Sequence, residues 1–97
     1  MNSQINFLLY NIFLKVEVKL SMMVELNSHE RVIEFVSFCI ENFKVKYSMS
    51  GKDVADLFKV SGTLEFIING YEMLHTQGKE YILEEIEIFL KNRGYKF

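Results

Sequence analysis

The side chains able to do chemistry in this chain are few. They are one cysteine, Cys39, two histidines, His29 and His75, and a run of carboxylates that ends in Glu80, Glu84, Glu85 and Glu87. A Cys/His pair makes a nucleophile only when the thiol lies within hydrogen-bond reach of an imidazole that a third group orients. Cys39 stands on the same helical stripe as Val32, Val36 and Phe43, so it reads as a small buried apolar residue. His75, with Thr76 and Gln77 after it, falls at the end of a predicted helix, where an imidazole bonds free carbonyls and suits the helix dipole. Two histidines and one cysteine are too few for a zinc site of the usual ligand number. Glu80 and Glu84, one turn apart, have the spacing for acid–base work or a hard cation, but on an amphipathic helix they read as a solvated face. Lys91, four residues after Glu87, and Arg93 complete a charge layout that suits the dipole. The residues thus nominate no catalytic group, no cofactor and no metal. The expectation is a protein that is not an enzyme, with a small enzyme centred on His75 as an alternative.

The elements that must position these groups are helices. Asn27 and Ser28 are good cap residues, Glu30 follows three after Asn27 as in a capping box, and Val32, Val36, Cys39 and Phe43 recur at spacings of three and four. This predicts a first helix over about 28–46. Ser50, followed three residues later by Asp53, starts a short second helix on Val54, Leu57 and Phe58, which Ser61-Gly62 ends. Thr63 is placed to cap a third helix carrying Leu64, Ile67, Ile68, Tyr71 and Leu74, closed by His75 to Gly78. The fourth runs from about Lys79 to Asn92 on Ile82, Ile86, Phe89 and Leu90, with Gly94 where a left-handed terminating residue belongs. The fold class expected is all-α, a compact small four-helix domain with short loops over residues 22–97.

Residues 1–21 read differently. An apolar stretch broken by Asn6 and Asn11 leads into the alternation Lys15-Val16-Glu17-Val18-Lys19-Leu20, a strand signal with no second strand downstream to pair with. No positive charge precedes the apolar run, no small-residue cleavage pattern follows it, and its uninterrupted length falls far short of the roughly 20 residues of a membrane span. Val16-Glu17-Val18 can be encoded as GTG GAG GTG, which holds a ribosome-binding-site-like sequence three codons ahead of Met22-Met23. The favoured reading is a poorly integrated N-terminal extension, upstream DNA translated from too early a start. The alternative is a real strand or partner-binding arm.

Composition narrows the partners. A formal charge of −2 argues against a nucleic acid as partner of the protein by itself, since such binding leans on clustered Lys and Arg. Leaving out Lys15, Lys19 and Glu17 keeps nine basic residues and twelve acidic ones, so the acidic balance stands either way. The 51–75 segment has the layout of a helix-turn-helix, but its second helix offers Glu65 and Glu72 and no Lys or Arg. A single cysteine excludes an internal disulfide and, with no convincing secretion signal, points to a reducing, cytoplasmic interior; no membrane partner is expected.

The apolar residues are more informative. At about 100° per residue, Phe38 is stranded on the side of Glu34 and Glu41, Phe66 and Met73 lie opposite Leu64, Ile68 and Tyr71, and Tyr81 and Ile88 form a second stripe. Phe66, Gly70 and Met73, at i, i+4 and i+7, would make a shallow groove with a glycine floor. Either short helices pack on both sides, or Phe38, Phe66, Met73, Tyr81 and Ile88 meet a protein partner or a second copy of the chain.

The run from Arg31 to Glu41, the segment Ser50 to Phe58 and above all Tyr71-Glu-Met-Leu-His-Thr-Gln-Gly78 resemble the small bacterial family catalogued as domain of unknown function 3791. The resemblance covers about residues 26–92. It implies a single small domain, some of whose relatives are encoded beside ADP-ribosyltransferase-like toxins, and hence an antitoxin-like or accessory partner of a co-encoded toxin. It implies no catalytic residues; His75, Thr76 and Gly78 carry over only as motif positions. The function expected is a small protein-binding module, and the alternative is a DNA-binding transcriptional regulator using the 51–75 segment.

Overall fold

The computed structural model describes residues 27–96. The expectations for residues 1–21 lie outside them. The described residues form five helices and no strand: α1 (27–47), α2 (Gly51–Ser61), α3 (Thr63–Asn69), α4 (Tyr71–Leu74) and α5 (Lys79–Asn92). The chain divides between Arg31 and Val32 into two units, and the buried core belongs to the second. The all-α reading holds, with one of the four expected helices cut in two.

In α1, Asn27 is already helical, so it does not serve as the expected cap. The buried stripe is Phe35, Cys39 and Phe43, with Val36, Ile40 and Tyr47 flanking it. The expected stripe of Val32 and Val36 is thus rotated by about one residue, and both valines are half-buried. The larger Phe35 ring takes the central position because it removes more apolar area from water than a valine does. The helix closes at Ser48, which sits at φ 52 while the Met49 amide donates to the Lys44 carbonyl at 3.0 Å.

The α2 start follows the sequence reading: the Asp53 amide donates to Ser50 Oγ at 3.1 Å. Val54 and Phe58 are buried, and Gly62 ends the helix at φ 83, a left-handed conformation in which a Cβ is strained. Thr63 is the first residue of α3 and does not cap it; its side chain pairs with Ser61, Oγ to Oγ1 at 2.7 Å. Both residues are buried, and the pairing satisfies two hydroxyls that would otherwise be stranded in the core.

The expected third helix breaks at Gly70, whose φ of −92° and ψ of 5° leave the helical region. Its hydrogen bonds survive the break, since it donates to Phe66 O at 2.9 Å and accepts from the Leu74 amide at 2.9 Å. A Cβ here would come within 3.0 Å of Phe66 O and 3.1 Å of Leu74 Cδ1, so the close turn relies on glycine. Ile67 and Leu74 point inward, while Ile68, expected in the core, is 44% exposed. A seven-residue helix buries one narrow stripe, and Ile67 occupies its centre.

Ile82, Leu83, Ile86 and Leu90 anchor α5. The helix closes on Gly94 at φ 91, with Tyr95 N bonded to Leu90 O at 3.1 Å, the glycine-terminated end read from the sequence. Phe43 meets Phe58 edge-on at 5.1 Å between centroids, which locks α1 to α2 at the centre of the core.

Candidate protein-docking groove

The second apolar stripe of the α3–α4 segment and that of α5 face one another across a groove. Phe66, Gly70, Met73 and Leu74 form one wall and floor, Tyr81 and Glu85 the other wall, and Gln77 the rim, around a volume of about 200 Å³. Helical spacing brings Phe66, Gly70 and Met73 to one side, and the Gly70 turn, without a side chain, opens the floor over Leu74. Met73 is 79% exposed and Tyr81 49%. Phe66 is only half-buried and packs on the core edge, its ring stacked on Phe89 at 4.5 Å. The Arg93 guanidinium lies over that same Phe89 ring at 4.5 Å, and a neighbouring depression runs on past Phe66 and Gly70 to Glu65 and Arg93. The groove therefore combines a fixed base, Leu74 and the Phe66–Phe89 stack, with a mobile thioether and an amphipathic phenol at its mouth.

Three of the five residues expected at an interaction surface, Phe66, Met73 and Tyr81, are thus brought together. Ile88 is 45% exposed and shares the Tyr81 side of α5 but does not line the groove. Phe38 is exposed on α1, stacked at 6.3 Å on Phe35, and is apart from the groove lining. The sequence reading missed Gln77, Glu85 and Leu74 as lining residues. Glu85 lies four after Tyr81, a spacing that puts both on one helix face.

The other chemistry-bearing groups have structural partners. His75 Nδ1 lies 2.6 Å from the Tyr71 carbonyl, which also accepts the His75 amide, and its ring stacks on the Tyr71 ring at 4.3 Å. Facing a carbonyl acceptor, Nδ1 carries the proton. Thr76 Oγ1 donates to Met73 O at 2.9 Å and Gln77 N to Leu74 O at 3.0 Å, so the Leu-His-Thr-Gln run satisfies the carbonyls that end α4. Gly78 stands at the α5 N-cap with φ −74, and nothing lies within 4 Å of where its Cβ would be. Cys39 is fully buried, and that burial pushes its thiol up to about 12, far from a reactive thiolate.

Glu87 departs from the expected solvated face. Its mostly buried carboxylate accepts a short hydrogen bond from Lys46 of α1. Burial alone would raise this carboxyl, but the hydrogen bonds from Lys46 and Tyr47 and the charges of Lys46 and Lys91 outweigh it and hold the group below its ordinary range. Burial first, then the bond to Glu87 and its charge, push the Tyr47 phenol up to about 12. The cluster ties α1 to α5. No group of three or more His, Cys, Asp or Glu able to hold a metal occurs among the described residues.

The model of the family described as protein of unknown function (DUF3791) matches residues 34–93. The chain belongs to the DUF3791 family. The matched DUF3791 span runs from one turn before Phe38 to the Arg93 that covers Phe89, and it holds the whole buried core cluster and every residue of the groove. No curated protein and no solved structure matches the chain. No helix among the described residues is long and apolar enough to cross a membrane.

Proposed function

We propose that this DUF3791 protein is a small protein-binding module, a bacterial, cytoplasmic, antitoxin-like or accessory partner of a neighbouring toxin, and that the Phe66–Met73–Tyr81 groove is its docking surface. The observation that carries the reading is the groove itself: apolar, about 200 Å³ and open at the surface. The groove has room for an apolar side chain or two presented by another protein, and Met73 lets the mouth adapt to their shape. The α2–turn–α3 unit supports the DNA-binding alternative poorly, because α3 presents Glu65 and no basic residue to a phosphate backbone.

The test is co-expression with the product of the adjacent gene, scored for a stable complex and for rescue of growth if that product is toxic. The reading requires a complex that Met73→Lys weakens while leaving the melting temperature of the free protein unchanged. A complex indifferent to Met73→Lys and to Tyr81→Ala would move the docking surface elsewhere. Binding to a promoter fragment and not to the neighbour would favour the regulator.

A further inference from the structure

Carboxylates outnumber basic groups around the groove. Glu85 lines it directly, Glu65 borders the depression that continues past Phe66, Glu72 precedes Met73 in α4, and Glu84 stands one turn from Tyr81 on α5. Among the described residues the ion pairs are Glu41 with Lys44 and Glu87 with Lys46, and none of these four carboxylates takes part in one. Arg93 shares the lining of that depression with Glu65, its guanidinium lying over Phe89, and it does not line the groove itself. An apolar groove bordered by unpaired carboxylates attracts cations and rejects anions, because a like charge brought beside them is desolvated without compensation.

The shape of the site restricts the partner further. The described residues contain no strand, so they offer no sheet edge for an extended peptide to join. What the surface offers is a groove between helices, the arrangement that receives the apolar face of another helix. Resting on the docking function proposed above, we infer that the occupant is a basic amphipathic helix, with one or two large apolar side chains in the groove and Lys or Arg flanking them towards Glu65, Glu72, Glu84 and Glu85. The apolar anchors supply most of the affinity, and the carboxylates set the choice of partner and speed the encounter.

Three labelled peptides of about 16 residues test this by fluorescence anisotropy at about 0.1 M salt. The first carries Leu at i, i+3, i+4 and i+7 with Lys on the remaining face, the second replaces each Lys by Glu, and the third keeps Lys and replaces each Leu by Ser. The Lys/Leu peptide binds at least about tenfold more tightly than either of the others. Met73→Lys weakens it by about tenfold, and Glu85→Lys brings the Glu/Leu peptide level with it or ahead, with Glu84→Lys as the second variant should Glu85→Lys lower the melting temperature. Equal affinity for the Lys/Leu and Glu/Leu peptides, indifference to Met73→Lys, or no binding of any peptide overturns the inference. The two proposals fail separately. A complex with the neighbouring gene product that Met73→Lys breaks, alongside no preference for the basic peptide, removes only this one.

Discussion

At the scale of single residues, Met73 and Ile86 make opposite predictions. Met73 is largely exposed and Ile86 wholly buried, so Met73→Ala should change folding stability by less than about 0.5 kcal/mol and Ile86→Ala should cost about 2 to 5 kcal/mol. Denaturant unfolding of both variants beside the parent checks this, and a Met73→Ala loss comparable to that of Ile86→Ala would place Met73 in the core. Phe66 is intermediate: stacked on Phe89 and packed on the core edge, it loses stability as well as surface when truncated, so it tests docking less cleanly than Met73. Glu87 gives a pH prediction. Its carboxyl is held below its ordinary range in the folded state, so its stabilisation is present above the unfolded value, about 4.3, and is lost as pH falls through the folded value. Glu87→Gln should therefore cost about 1 kcal/mol near pH 7, and the gap to the parent should shrink as pH is lowered below about 4. A gap that is constant from pH 7 to pH 3 would mean that the ion pair with Lys46 contributes nothing.

At the scale of elements, the glycines that end or break helices differ in what they require. Gly62 sits at φ 83 with the Arg93 guanidinium 3.1 Å from where a Cβ would be, and Gly70 has Phe66 O and Leu74 Cδ1 equally close. Gly62→Ala should cost about 1 to 2 kcal/mol through left-handed strain. Gly70→Ala should cost about 1 to 3 kcal/mol through the crowding, and it should also narrow the groove floor. Gly78 is at φ −74 in open space, so Gly78→Ser should be tolerated and should stabilise α5 by a few tenths of a kcal/mol through the hydroxyl cap it adds. Thermal melts of the three variants check the order. If Gly78→Ser folds well yet loses the partner, the motif position serves binding and not the backbone. His75 and Thr76 already have a structural account, because both side chains satisfy carbonyls at the end of α4.

For the whole molecule, charge decides between classes of partner. With thirteen acidic residues to eleven basic ones and α3 lacking any Lys or Arg, binding to random duplex DNA at moderate salt should be weaker than about 10⁻⁵ M. A tight, salt-sensitive and sequence-dependent complex of the protein alone would reverse the choice between protein and DNA. The same balance favours cationic partners, and the groove adds the apolar contact area that charge alone cannot supply.

The all-α class and the ends of α2 and α5 were legible in the sequence, because each rests on local rules. Ser50 caps within three residues, and Gly62 and Gly94 turn left-handed at their own α-carbons. Helical spacing also put Phe66, Gly70 and Met73 on one side, since three residues of a nearly continuous helix fix their mutual angle. Other features depended on neighbours distant in sequence. Phe35 displaced Val32 from the centre of the α1 stripe because Tyr71 of α4 packs edge-on against the Phe35 ring. Ile68 turned outward because α3 buries one narrow face, and Glu87 left the solvated row because Lys46 and Tyr47, forty residues and more away in the chain, supply the partners that its burial demands. That Tyr81 and Glu85 face Met73 across a groove is a fact of how α5 returns against α3 and α4, and no periodicity within either segment contains it.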